Sequence, residues 1–405
     1  MSLNKSFNKS LKKDDIFKIS LPGSDLVFTR YLYVKDEIRI SFLISILNKR
    51  DDAIFWAYEL YFSGFKCELF ELLWQIYYDF FATLNPSFET YFIKKYKDWL
   101  KEEDDKIVKM IVQDLLFRPC NSDVFFLKNI CQSFEVEMNY LDEKISDLIS
   151  FKKNMEKWFE NNDYRSISNW ILNENSNQIN NFEIYNICIE IFNNNGIKLV
   201  KKRLLDEFNN ASNINLVNGN IVLLAKIMTL FSKKFNLKKG KNLYFTVSLE
   251  EIEQYETINI SDELINCHIL ENACLVGIDD LKQLSLFKLN RFKYDLNECY
   301  NYKWLYHASF SPIWSYRIRK YKAYPDYFKQ KIIFKENPDD IEMQEFYKLY
   351  GLDPDEQKQI VKEKSIMAIE NKYDWKWFYK TYKKNGLFDV LEEELVEFDE
   401  DKIKY

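Results

Sequence analysis

The stretch DDAIFWAYELYFSGFKCELFELLWQIYYDFFATLNP, residues 51–86, decides the fold class. Ala53, Ile54, Ala57, Leu60 and Tyr61 recur at intervals of three and four, the spacing that gathers apolar side chains on one face of a helix. Asp51 and Asp52 suit the positive end of that helix, and Gly64 reads as its C′ stop. Leu69, Leu72, Leu73, Ile76 and Phe80 then form a second stripe that ends before Pro86. Two amphipathic helices joined by a tight turn predict an α-hairpin.

The same plan extends outward. Tyr91, Phe92, Lys95, Tyr96 and Trp99 predict a third helix, and Ile107, Met110, Ile111 and Leu115 a fourth, stopped by Pro119. After the Asn-rich linker NENSNQINN, residues 173–181, helical patterns resume at 182–194, 196–208 and 217–235. NLYFTV, residues 242–247, and KIIF, residues 331–334, are the strand candidates. Late in the chain Gly351 ends one helix, Asp353 caps the next and Pro354 takes its first position. The expected fold is mainly α: a helical array, a further helical domain and a minor β element in the C-terminal half. The expected division is an N-terminal extension at 1–45, the array at 46–150, a middle helical domain at 151–240, a C-terminal α domain with short strands at 241–390 and an acidic tail at 391–405. No fixed period marks a named repeat.

Composition agrees with a folded chain. Of 405 residues, 47% are hydrophobic, 17% aromatic and 30% charged, far from the apolar-poor balance of disorder. Glycine numbers only eight, while Lys, Asn, Ile, Phe and Tyr abound, the usage expected of AT-rich coding DNA. A net charge of −6 argues against a protein wholly devoted to coating nucleic acid or an anionic membrane, although a local basic patch is compatible with it. The seven cysteines are odd in number and scattered, as reduced thiols are. The longest apolar run, Ile40 to Leu47, is interrupted by two serines and is too short to span a bilayer, and the N-terminus lacks a signal-peptide pattern. The reading is a soluble intracellular protein with no membrane partner.

The eight glycines also exclude chemistry. Even the nearest two, Gly219 and Gly240, are too far apart for a dinucleotide-binding turn, a Walker loop or a nucleophile elbow. With only His268 and His307 in the chain, no zinc-protease helix or serine triad finds its local context. No cofactor is expected.

Three constellations remain. Cys267, His268, Cys274, Cys299 and His307 offer enough soft ligands for a tetrahedral zinc, but no Cys-x-x-Cys pre-closes the chelate, so packing as small apolar side chains is favoured. Pro338-Asp339 with Glu356-x-Lys358 imitates a metal-dependent nuclease pattern, but Glu356 and Lys358 fall on a capped helix start, where their side chains diverge. The third is WSYRIRKYK, residues 314–322. Read as a helix started by Ser311-Pro312, it predicts Trp314 and Ile318 buried and Arg317, Lys320 and Lys322 exposed. Trp314, Arg317, Arg319, Lys320 and Lys322 are therefore the candidates for binding a nucleic acid or an acidic partner, against the plainer reading of a solvated cationic face.

RDDAIFWAYELYFSGF near the start, YKWLYHASFSPIWSYRI and EFYKLYGLDPDEQ together resemble uncharacterised, mainly helical proteins of nucleocytoplasmic large DNA viruses, over residues 50–370. The resemblance implies a viral protein made in host cytoplasm and packaged in the virion, and it carries no catalytic residues to transfer. The expected function is a non-enzymatic interaction or scaffold protein with a protein partner. The alternative is a nucleic-acid-binding accessory factor of viral replication or transcription, acting through residues 314–322. An enzyme with a divergent site ranks third.

Overall fold

The computed structural model describes residues 26–133, 147–175, 179–214, 216–234, 244–256, 289–334, 341–350 and 375–383, with single positions at 145, 363, 366, 385 and 386. The fold is mainly α, and the small sheet lies in the C-terminal half. Its contacts divide it into two compact units, neither continuous in sequence. One comprises Met1–Phe42, Phe55–Lys66 and Glu253–Lys372, the other Leu43–Ile54, Cys67–Ile252 and Tyr373–Tyr405. We call the first the mixed unit and the second the helical unit.

The helices predicted over residues 51–86 form. Helix α1 spans Lys35–Leu47, α2 Asp52–Phe62 and α3 Lys66–Ile76. Gly64 follows α2 at a φ of +97°, left-handed backbone that a side chain resists. The second stripe continues past α3 into a π-turn, Tyr77–Phe81, closed by Ala82 N–H donating to the Tyr77 carbonyl at 2.8 Å. Helices α4 (Phe88–Glu102), α5 (Lys106–Leu116) and α6 (Asp123–Ser133) follow, then α7 (Leu148–Glu160), opened by an Asp147–Ser150 capping box. Helix α8 (Tyr164–Asn169) runs into a second π-turn at Trp170–Glu174, and α9 (Asn181–Asn194), α10 (Lys201–Ser212) and α11 (Gly219–Lys234) come next.

The helical unit is held by packed aromatic rings. Trp74 lies parallel on Phe92 at 3.6 Å between centroids, Phe70 meets Trp99 at 4.2 Å, and Phe159 meets Phe192 at 4.4 Å. Charged pairs are buried among them. Lys128 on α6 bonds Asp79, which the first π-turn directs inward, and Lys226 on α11 bonds Glu89, which also accepts the Tyr78 hydroxyl at 3.1 Å. Arg118 reaches back to Asp114 at 3.3 Å and lies 4.2 Å over the Phe88 ring. Burial pushes the Asp114 carboxyl up to about 7 although Arg118 opposes the shift.

The sequence predicts a strand at NLYFTV. Residues 244–247 carry no strand: Phe245 packs on Phe117 at 5.0 Å and Tyr244 on Tyr91 at 4.3 Å, so side chains rather than a ladder hold this segment. The KIIF strand does form. The 196–208 pattern gives a helix that begins five residues later and ends four later, at Lys201–Ser212.

Helix α12 (Glu250–Glu256) crosses into the mixed unit at Glu253, and α13 (Leu296–Asn301), α14 (Trp304–Ala308), α15 (Pro312–Lys320), β1 (Tyr324–Asp326), β2 (Lys331–Ile333) and α16 (Ile341–Tyr350) follow in that unit. Helix α17 (Trp375–Tyr382) belongs to the helical unit. The mixed unit's core gathers Leu26, Phe28, Val34, Tyr300, Trp304, Trp314, Ile318 and Phe346. The helix start at Asp353–Pro354 and the acidic tail lie outside the described residues.

Candidate interaction surface

Helix α15 is built into the core from its first residue. Ser311 stands in extended backbone as the N-cap and Pro312 occupies the first turn. Ile313 N–H donates to the Ser63 carbonyl at 3.1 Å, which ties the start of α15 to the turn after α2. A Cβ on Gly64 would stand 2.5 Å from the Pro312 Cβ, so glycine is required there by space as well as by backbone angle. Trp314 and Ile318 are buried as predicted, at 3% and 1% exposure. Trp314 donates its indole N–H to the Thr29 carbonyl at 3.0 Å and meets Trp304 edge-on at 5.6 Å.

Arg317 departs from expectation. It is half-buried rather than exposed, with its guanidinium 4.5 Å over the Trp314 ring and 4.7 Å over that of Tyr350. The side chain bends back because a planar, weakly hydrated cation gains more between two aromatic faces than in water. A second arginine of the same unit is locked inside. Arg30 donates to Glu59 at 2.8 Å and to the Tyr255 carbonyl at 2.7 Å, while Glu59 accepts the Tyr31 backbone N–H at 3.1 Å. Burial raises the Glu59 carboxyl despite Arg30. Nothing in the sequence marked Arg30 or Glu59, because each is an ordinary charge until the chain brings them together.

Beyond Ile318 the polar side chains turn outward. Arg319 and Lys320 are exposed, and Arg319 donates to Ser315 Oγ at 2.8 Å. Helix α15 ends in a Schellman motif: Lys322 stands at a φ of +58°, its N–H donates to Arg319 at 2.9 Å, and Ala323 N–H donates to Ile318 at 3.1 Å. The Lys322 ammonium is exposed and pairs with Glu342 at 2.6 Å.

The chain then enters the β-hairpin. Strands β1 and β2 are antiparallel, pairing Tyr324 with Ile333, Pro325 with Ile332 and Asp326 with Lys331. Ile332 faces the core, so Tyr324, Asp326, Lys331 and Ile333 share the opposite face. Asp326 fixes the turn by accepting the N–H groups of Phe328 and Lys329 at 3.0 and 2.9 Å, and Gln330 closes it at a φ of +52°. Lys303 donates to Gln330 Oε1 at 2.6 Å, anchoring the turn from α14's side. Tyr327 packs near Phe310 and Tyr306. Phe328 is left in solvent, 97% exposed, and Tyr302 and Tyr324 are also exposed. The turn was legible in Pro325-Asp326, but nothing in the sequence said that its phenylalanine would face water.

Two of the five zinc candidates are among the described residues. Cys299 and His307 are both buried in the mixed unit's core. His307 Nδ1 lies 3.2 Å from the Leu26 carbonyl, and its ring sits against Phe28 and Tyr294. Burial drives the His307 imidazole down to about 4 and the Cys299 thiol up to about 11. Among the described residues no group of three or more His, Cys, Asp or Glu side chains could hold a metal. Cys267, His268 and Cys274 lie outside the described residues, as do Pro338, Asp339, Glu356 and Lys358. No described helix is long and apolar enough to cross a membrane. Compared with protein-family models, curated proteins and solved structures, the chain gives no match.

Proposed function

We propose that this chain is a non-enzymatic interaction protein of a large DNA virus, working in host cytoplasm, and that its contact surface is the rim formed by the end of α15 and the β-hairpin. The observation that carries the reading is Phe328, wholly exposed on a turn that Asp326, Gln330 and Lys303 hold in place. A lone exposed apolar residue needs no explanation, but Phe328 has Tyr324 and Tyr327 beside it on the same hairpin, and such a concentration is what binding surfaces present. A pinned loop also loses little freedom on binding, so more of the contact energy reaches affinity. The alternative site, residues 314–322 as a whole, is supported less well, because Trp314 and Arg317 are used inside the unit.

The test is capture from infected-cell extract with the full chain and its Phe328→Ser variant, read by mass spectrometry for protein and by sequencing for nucleic acid. At least one species should be lost with the variant while the urea midpoint stays where it was. Identical captured sets would overturn the proposal.

A further inference from the structure

We infer that the rim binds single-stranded nucleic acid, with bases stacking on Phe328 and Tyr324 and phosphates held by Arg319, Lys320, Lys329 and Lys331; this rests on the interaction reading above and names its partner. The first support is charge. The chain carries −6 overall, yet between Arg319 and Lys331 it places five cations and one acid. All five cations are exposed. Among the described residues, Asp326 is engaged by the turn's N–H groups and stands 4.0 Å from Lys329, and Glu342 pairs with Lys322. The surface remains positive and would meet a polyanion favourably.

The second support is the mixture of groups. A duplex exposes phosphates but hides the faces of its bases, and an acidic peptide offers charge without an aromatic face to stack. An unpaired strand offers both together, and each of its bases has a π-face that an exposed ring can take irrespective of sequence. The hairpin supplies the matching set on one small element. Tyr324 and Lys331 lie on its outer face, and Phe328 and Lys329 are adjacent on the turn. Tyr302 stands next to Lys303, the residue that holds Gln330 of that turn, and extends the aromatic surface.

Fluorescence anisotropy on the full chain decides the matter, with a labelled single-stranded DNA oligonucleotide, its RNA counterpart, the corresponding duplex and a poly-glutamate peptide as separate probes. The expected result is binding of one or both single strands over duplex and peptide, with a log–log salt slope of about −3 for four phosphate contacts. Phe328→Ala should weaken that binding about 10- to 100-fold, the effect of one lost stacking partner. The pair Lys329→Glu and Lys331→Glu should flatten the salt slope. Denaturation of each variant checks that folding is unchanged, and Phe328→Tyr should restore binding. Equal affinity for duplex or poly-glutamate, or no effect of Phe328→Ala, would overturn the assignment to a single strand. If no polyanion binds while Phe328→Ser still loses a captured protein, this inference falls and the interaction reading stands. If the variant changes neither assay, both fall together.

Discussion

In the helical unit charged pairs are buried among packed rings, whereas on the rim of the mixed unit, whose own Arg30–Glu59 pair is buried, aromatic rings stand in water. Asp79 and Lys128, Glu89 and Lys226, and Asp114 and Arg118 are buried between helices, and each acid is held by its cation. On the hairpin of the mixed unit, Phe328 is left in water while lysines flank it. The two arrangements invert the usual preference in opposite senses. Buried pairs cost desolvation and return it only while both partners are present, so they hold a packing arrangement rather than add much net stability. Exposed rings cost nothing in the folded unit and gain only when something covers them. A residue type therefore says little about its role until its burial is known.

The largest expected effects test one region each. Lys128→Met leaves Asp79 buried without its cation and should cost about 3 to 5 kcal/mol in urea denaturation, and adding Asp79→Leu should recover most of it. A single variant as stable as the parent would show that the pair is not shut away from water. Trp314→Ala should also cost about 3 to 5 kcal/mol through the cavity it opens in the mixed unit and the loss of the indole's bond to the Thr29 carbonyl. A tolerant Trp314 would break the account of α15 as a core helix.

Next in size come two opposite responses to pH. Asp114 has its folded-state pKa raised to about 7 from an ordinary value of 3.8, so its contribution is complete at low pH and is lost as pH rises between these values. His307 is lowered to about 4 from 6.5, so its contribution is complete near neutrality and is lost as pH falls through that window. Each limb has a steepest slope of about 1.4 kcal/mol per pH unit. Asp36, Glu59, Asp79 and Glu89, raised by burial, act in the same sense as Asp114, so the measurement is the difference from Asp114→Asn and from His307→Gln. Each variant should flatten one limb alone; flattening of neither would remove these groups from the pH response.

The smallest effects belong to the rim. Lys320→Glu and Lys322→Glu should leave the denaturation midpoint unmoved, since both ammonium groups are exposed and the Lys322–Glu342 pair is a surface one. A large shift would mean that these cations support the fold, and would set the rim beside the buried pairs instead of against them.

Much of the fold was legible because helices announce themselves locally. The stripes beginning at Ala53 and Leu69, the Gly64 stop and the Ser311-Pro312 start each rest on spacing within a few residues, and all appear where that spacing puts them. What was hidden depends on partners far along the chain. Arg317 looks like any surface cation until Tyr350 closes over it, and Arg30 meets Glu59 only when α2 is in place. The failed strand at Tyr244–Val247 has β-forming residues but no strand beside it among the described residues, and the partner of Lys331–Ile333 contains Pro325, which counts against a strand in sequence. Of the binding candidates, the cations at the end of α15 were visible as a charge run. Phe328 was not, because exposure is decided by the Asp326 turn rather than by the residue.

The packing of Gly64 against Pro312 bears on how this chain can change over generations. If its coding DNA drifts toward A and T, glycine codons are among those most steadily eroded, and only eight glycines stand in the chain. At position 64 any replacement that adds a side chain sets a carbon 2.5 Å from Pro312 in a left-handed turn. A change at residue 312 would not relieve this, because the atom met is its Cβ, which every residue but glycine carries, and the left-handed backbone at position 64 would remain. Glycine is therefore expected to persist at position 64 in every lineage that keeps α15 seated against this turn.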